Sequence, residues 1–306
     1  MNFVIYFFIF LFGSAIGSFL NVVIFRLPVS PENRSPEIYG ERFSVYSDRS
    51  RCPRCGHILR WYDLIPIISF FVLRGRCRDC RGKISWQYPL VEAATGALFV
   101  AIFNYQFSII NEFPSSNFQI IELINLGYWF FIVSCCVAIF VYDLRHYIIP
   151  DKILLPAVIV SSVYRLFAAF DLALLRSGNN TAQTFFMNLF PELVEGFKII
   201  VPYLLSAFAA AAFFLFLVIV TRGRGMGIGD VKLVFLMGLV LGWPQILPAL
   251  FMAFFTGAAA GLALIIAGKK TMQSQIPFGP FLIAGTMAAI FFGPRILQWA
   301  FFMGGI

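Results

Sequence analysis

Four acidic side chains lie at or within long apolar segments of this 306-residue sequence, where an acid is costly: Glu92, Asp143, Asp151 and Asp230. A charge at the centre of a membrane span costs roughly 2.5 to 3.5 kcal/mol on the insertion scale, so such residues are usually functional or paired. Asp143 ends one apolar run in VYDLRHYIIPD, and Asp230 begins another in GIGDVK. These two aspartates are the first candidates for chemistry.

Asp143 and Asp230 are predicted to face each other as a catalytic pair, although an aspartate at a span boundary is often only interfacial or a helix cap. Two carboxylates brought close together share one proton, as in aspartic peptidases. One then deprotonates a water, and the other polarises the scissile carbonyl. Gly225, Gly227 and Gly229 would allow a tight turn and the close approach of an extended substrate.

Three further polar residues are candidates for substrate binding or support. Glu92 begins an apolar segment and is either a buried partner for an arginine or a site for a substrate amine, with structural and functional readings equally open. Asp151 follows Pro150, and the preferred interpretation is an interfacial or helix-capping residue. Lys232 either neutralises an aspartate or extends to the membrane interface.

Two CxxC pairs lie 21 residues apart, with ligand candidates Cys52, Cys55, Cys77 and Cys80. This spacing is typical of a zinc ribbon, in which each short turn offers two thiolates to one tetrahedral ion. Four sulfur ligands leave no position for water, so the zinc is predicted to be structural. Gly56, Gly75 and Gly82 are predicted to form the turns beside the pairs.

The elements that must position these residues are membrane helices. The sequence is 60% apolar and 12% charged, with a mean hydropathy of +0.84, which indicates a polytopic membrane protein. We expect an all-α protein of about eight transmembrane helices with a small cytoplasmic zinc-ribbon-like loop domain. The predicted spans are approximately residues 3–25, 88–110, 127–142, 153–170, 199–220, 231–247, 249–267 and 280–303.

The basic residues predict the orientation. Twelve of the 23 lie between Arg26 and Lys83, which makes this loop cytoplasmic and places both termini outside. Asp143 and Asp230 then lie at the cytoplasmic ends of their helices. We divide the chain into a first helix (1–25), a cytoplasmic loop domain (26–87) and a membrane core (88–306). Nucleic-acid binding is disfavoured because the basic residues follow membrane sidedness and lack an interleaved aromatic surface.

Several segments together resemble one family, the prepilin peptidases or type IV leader peptidases, membrane aspartic peptidases with a GxGD motif. The matching segments are GSAIGSFLNVVIFRLP (13–28), the paired CxxC motifs, LRGRCRDCRGKISWQYPLVEAATG (73–96), DLRHYIIPD (143–151), GMGIGDVK (225–232) and IPFGPFLIAG (276–285). They follow the family order over nearly the whole chain.

The resemblance implies a bacterial inner-membrane enzyme that cleaves the basic leader of type IV prepilins or pseudopilins after a glycine. Its catalytic aspartates map onto Asp143 and Asp230. It also implies N-methylation of the new terminus with S-adenosylmethionine, an activity associated with the cysteine loop.

Two other function classes are weighed against this one. A transporter would use the intramembrane aspartates to carry protons or cations, but it predicts inverted repeats, and neither aspartate motif is duplicated. A scaffold subunit would use the aspartates only to pair helices. A metalloprotease is disfavoured because the sequence has only His57 and His146 and no HExxH motif.

Overall fold

The computed structural model describes residues 3–27, 49–110, 118–176, 182–223, 226–268 and 276–303, and it confirms an all-helical protein. Gly225, one of the glycines predicted to shape the turn before Asp230, lies outside these residues. The helices are α1 (Phe3–Arg26), α2 (Ile68–Val72), α3 (Gln87–Ile110), α4 (Phe118–His146), α5 (Asp151–Arg176), α6 (Ala182–Val220), α7 (Ile228–Leu241), α8 (Ile246–Ile266) and α9 (Gly279–Met303). The same residues contain no strand, only two isolated β-bridges.

Seven of the described helices are long and apolar enough to cross a membrane. Their candidate spans are Phe3–Arg26, Gln87–Phe107, Glu122–His146, Asp151–Ala169, Gly196–Val220, Ile246–Ile266 and Gly279–Trp299. Each overlaps one of the spans expected from hydropathy. Large apolar side chains remain exposed along them, including Phe251 and Phe255 on α8, as a surface facing lipid would require.

The sixth expected span, residues 231–247, forms a shorter helix than the sequence predicts. It forms α7, which begins earlier at Ile228 and ends at Leu241 after 14 residues. At 1.5 Å per residue this helix is about 21 Å long, shorter than a hydrocarbon core of about 30 Å. Gly242, with a φ of 70°, ends the helix, and the proline at 244 cannot continue it.

The chain divides into two compact units, Met1–Val141 and Tyr142–Ile306, with the boundary inside α4. In the first unit, α1 packs closely on α3. A Cβ at Gly13 would lie 2.9 Å from the Gly96 Cα, and one at Gly17 would lie 2.8 Å from the Glu92 Cα. Small residues thus allow the two backbones to approach, as is usual between membrane helices.

In the second unit, α6 and α7 cross at the same kind of contact. A Cβ on Gly238 would collide with the backbone of Ala207, and the Ser206 hydroxyl donates a hydrogen bond of 2.8 Å to the Gly238 carbonyl. On α5, the Arg165 guanidinium donates to the carbonyls of Leu239 and Val240. These contacts fix α7 against both neighbouring helices.

Candidate active site and metal centre

Asp143 lies in the last turn of α4 and is 4% exposed. Its carboxylate accepts a hydrogen bond from the backbone N–H of Gly279, the first residue of α9. The first N–H groups of a helix have no partner within the helix and carry its positive dipole end. The start of α9 therefore holds and orients the Asp143 carboxylate.

Asp230 is held in the same way at the start of α7. It is the third residue of that helix and is 9% exposed. Its Oδ2 accepts a hydrogen bond of 3.1 Å from the backbone N–H of Gly227, which caps the helix. This bond fixes the orientation of the Asp230 carboxylate at the start of the helix.

The two aspartates lie close enough to interact electrostatically. The side chain of Ile149, which is 8% exposed, contacts the glycines beside both of them. A Cβ at Gly229 would lie 3.3 Å from the Ile149 Cβ, and one at Gly279 would lie 3.5 Å from the Ile149 Cδ1. The predicted pair is thus brought together within the second unit, in surroundings that strengthen electrostatic interactions.

In the first unit, the four predicted cysteine ligands form one cluster. Their sulfur atoms all lie within 4.8 Å of one another, and Cys52 Sγ lies 3.9 Å from Cys80 Sγ. A tetrahedral ion with Zn–S bonds of about 2.3 Å places its sulfurs about 3.8 Å apart. The cluster therefore fits a single four-coordinate metal ion.

The two CxxC turns have the same backbone structure, and each brings its own pair of cysteines together. The Cys52 and Cys77 N–H groups donate to the carbonyls of His57 and Gly82, at 2.9 and 2.8 Å. Each turn is closed by an antiparallel bridge, Arg51 with Ile58 and Arg76 with Lys83.

Each turn has one residue with a left-handed backbone conformation, and it is the predicted glycine in only one of the two turns. Gly56, with a φ of 69°, fills it in the first turn, but Arg81, with a φ of 56°, fills it in the second. Gly82 does not have a positive φ, and Gly75, whose φ is 64°, instead ends the short helix α2, its N–H bonding the Phe70 carbonyl. Glycine alone does not mark this position, because polar side chains also occupy it at a modest cost.

The electrostatics of the cluster favour a bound cation. Backbone N–H groups of Cys80 and Asp79 lower the pKa of the Cys77 thiol to about 7. Cys55 also accepts a backbone hydrogen bond, from His57, yet desolvation and the neighbouring thiols raise its pKa to about 11. Four crowded sulfurs cannot all ionise without a positive charge among them, and a metal ion supplies that charge.

Comparison with known proteins covers both halves of the chain. Residues 11–106 match the bacterial peptidase A24 N-terminal domain, and residues 130–262 match the type IV leader peptidase family. The prepilin leader peptidase/N-methyltransferase of Burkholderia pseudomallei (strain 1026b) is 30% identical over 297 residues, which is 92% of this chain and 83% of that protein. The protein of that name from Legionella pneumophila is 30% identical over 305 residues, 94% and 92% of the two chains.

The chain belongs to the type IV leader peptidase family. It is therefore a peptidase, as the motifs indicated, and the matched leader peptidase region contains both Asp143 and Asp230. The matched N-terminal domain contains all four clustered cysteines. No solved structure matches the chain.

The remaining predicted residues of this leader peptidase lie in two places. Lys232 donates to both oxygens of Asp151, at 2.8 and 2.9 Å, and both side chains are about half exposed. Of the two alternatives for Lys232, the structure shows neutralisation of an aspartate, and that aspartate is Asp151. Asp151 is the first residue of α5, one position after the residue whose carbonyl begins the helix, Pro150.

Glu92 lies in the first unit, whereas the two candidate catalytic aspartates lie in the second. It is 7% exposed, its Oε2 accepts a hydrogen bond of 2.7 Å from the Ile67 N–H, and it is also bonded to the side chain of Ser18. These partners join the cysteine loop to α3 and α1. None of these partners is an arginine, and a role for Glu92 toward a substrate amine stays a prediction.

Two residues of the site were not found from the sequence, Gly279 and Ile149. A Cβ at Gly279 would lie 2.5 Å from the Asp143 Oδ2, so a side chain would displace that carboxylate. A usable signal was the Gly279–Pro280 pair at the start of α9, since proline in a first turn marks a helix start. Ile149 gave no signal, because nothing in the sequence distinguishes it from the many other apolar residues.

Proposed function

We propose that this protein is a membrane aspartic endopeptidase that removes the basic leader of type IV prepilins or pseudopilins after a glycine. Asp143 and Asp230 are the catalytic pair. The observation that carries the proposal is the burial of both carboxylates around Ile149, each held by the first N–H groups of a helix. The name of the relatives, prepilin leader peptidase/N-methyltransferase, supports the substrate class.

The proposed reaction needs one proton shared between the two aspartates. The ionised aspartate takes a proton from a water, whose oxygen attacks the scissile carbonyl, while the protonated aspartate donates to the carbonyl oxygen. The tetrahedral intermediate then expels the amine, which leaves with the proton taken from the water. Gly279 lets the start of α9 approach the Asp143 carboxylate closely, and Gly229 lets Ile149 pack against the start of α7.

The distribution of charge supports a bacterial inner-membrane location with the site facing the cytoplasm. Basic residues flank both aspartates in sequence, Arg145 after Asp143 and Lys232 after Asp230. The cysteine loop carries most of the remaining positive charge, and such loops stay on the cytoplasmic side. With α7 counted as the eighth crossing, this orientation places both termini outside.

We expect Asp143→Asn and Asp230→Asn each to lower prepilin cleavage by roughly 1,000-fold or more, because each removes one half of the proton-sharing pair. Cleavage is measured by mass spectrometry with purified protein in lipid, without metal added to the assay. Glu122→Gln is the matched control, since it neutralises an acid on the same helix α4 in the first unit, and it should cleave normally. Cleavage retained by either aspartate variant would refute the assignment.

Gly279→Ala tests whether the start of α9 positions Asp143. The added methyl carbon would lie 2.5 Å from Oδ2, so the carboxylate must move, and we expect a loss of roughly 100-fold in the cleavage rate. Gly293→Ala on the same helix is the control, because its methyl would make only an ordinary contact of 3.8 Å with Ala289. Equal cleavage rates for the two variants would show that Gly279 does not position Asp143 for catalysis.

We further propose that the four clustered cysteines bind one structural zinc ion. Elemental analysis of the purified protein should find about one zinc per chain. Cys52→Ala or Cys77→Ala should lose most of it, because each removes a ligand from a closed site. Cys135→Ala removes a buried thiol within α4 and should keep the zinc. Protein without zinc but with all thiols free would contradict the proposal.

We also propose that the amine of the new N-terminus attacks the methyl carbon of S-adenosylmethionine. The methyl–sulfur bond breaks, S-adenosylhomocysteine leaves, and the amine loses a proton. The two named activities of the relatives and the intact cysteine module support this step. Cleaved product incubated with S-adenosylmethionine should gain the mass of one methyl group.

Because the candidate catalytic aspartates lie in the second unit and the cysteines in the first, the two activities should separate. Asp143→Asn should still methylate a synthetic peptide that begins at the cleaved terminus, while failing to cut the precursor. Absence of the methyl group from that peptide with the wild-type protein would exclude the second activity.

A further inference from the structure

A cleft of about 660 Å³ lies beside the cysteine cluster, between α2 and the start of α3. Its lining residues are Phe70, Phe71, Arg74, Gly75, Arg76, Lys83, Ile84 and Trp86. Three of them are cations and none is an acid. The cleft therefore selects an anionic ligand with an apolar portion.

The cations of the cleft are held close to one another. Arg76 and Lys83 are partners in an antiparallel bridge, which places their side chains directly opposite on one face. Like charges in this arrangement destabilise the pairing, and Arg74 adds a third charge two residues from Arg76. An anion bound among them would relieve this repulsion.

The apolar wall of the cleft is built around a buried ring. Phe70 is 7% exposed and lies 4.8 Å, centroid to centroid, from Trp86. Gly75 leaves room for Phe70, since a Cβ at that position would lie 3.1 Å from the ring. Phe71 and Trp86 are about 60% exposed and carry the wall outward.

The position of the cleft indicates what covers this wall. Trp86 immediately precedes α3, whose candidate membrane span begins at Gln87. Leu90, one turn into α3, is 63% exposed, as a lipid-facing residue would be. Tryptophan at the end of a span is the usual anchor at the level of lipid headgroups. In a bilayer, this position would place the cations beside the headgroup layer and the exposed rings against the acyl chains.

We propose that this cleft binds the headgroup phosphate of an anionic phospholipid, with Arg74, Arg76 and Lys83 around the phosphate and Trp86 against the upper acyl chains. The ligand is a lipid because the wall continues into a membrane span, which a soluble phosphate would leave uncovered. S-adenosylmethionine is a poor occupant because its sulfonium and ammonium groups would face three cations. The site lies outside the aspartate pair and is independent of the proposed peptidase mechanism.

Native mass spectrometry of the full-length protein in detergent tests the proposal, with phosphatidylglycerol and phosphatidylcholine of identical chains as probes. Wild-type protein should retain phosphatidylglycerol in preference to phosphatidylcholine. Arg74→Gln with Arg76→Gln should weaken phosphatidylglycerol binding by roughly 30-fold, since each cation near a lipid surface contributes a factor of about five. The Arg49→Gln, Arg51→Gln variant removes the same charge from the same loop, outside the cleft, and should bind as wild type.

Three further measurements decide between occupants. Inorganic phosphate and glycerol phosphate at millimolar concentration should not displace the lipid, and displacement by either would overturn the lipid assignment. Trp86→Ala should weaken phosphatidylglycerol binding with all three cations present, and unchanged binding would remove the apolar half of the site. If the double variant does not fold, phosphatidylglycerol binding is measured on the single variant Lys83→Gln instead. Zinc content is the check on folding. Equal loss in the Arg49, Arg51 control would show non-specific charge attraction and refute the cleft.

Discussion

A hydrogen bond from the start of a helix to each aspartate is the interaction on which the candidate site depends. Gly279 supplies it to Asp143 from α9, and Gly227 supplies it to Asp230 from α7. A carboxylate buried in an apolar protein loses its hydration, and an oriented N–H at a positive helix end replaces part of it. Each aspartate is thereby held in place by an uncharged N–H donor. A neighbouring cation would favour full ionisation and weaken the sharing of a proton.

Polar contacts hold both ends of the short helix α7. Its first turn holds Asp230, and its last carbonyls, at Leu239 and Val240, accept hydrogen bonds from the Arg165 guanidinium. That guanidinium also lies 3.7 Å above the ring of Tyr203. A cation at the C-terminal end and an anion at the N-terminal end both stabilise the helix dipole. Arg165 thus helps to fix the helix that carries a candidate catalytic residue.

Much of this arrangement was predictable from residues that are energetically costly in their local sequence. An acid in an apolar run is expensive, so Asp143 and Asp230 stood out, and paired CxxC turns have few other uses in a reducing compartment. The membrane helices followed from hydropathy alone. Gly279 and Ile149 could not be found in this way, because their roles arise only when α4, α7 and α9 pack together. The length of α7 was misjudged because apolar residues continue past Gly242, and hydropathy does not register a glycine in a left-handed conformation.

The cysteine module shows how a segment with little core of its own is given a fixed position. Its described part, from residue 49 to Trp86, buries few large side chains, Phe70 among them. Small domains of this kind need a metal ion or an external attachment to remain ordered. Glu92 provides an attachment within the first unit, because its carboxylate binds the Ile67 N–H while its helix α3 is packed on α1. Ile67 has a φ of 62°, a conformation that an isoleucine adopts only where its surroundings impose it. The buried acid on α3 therefore ties the module to the helices α1 and α3.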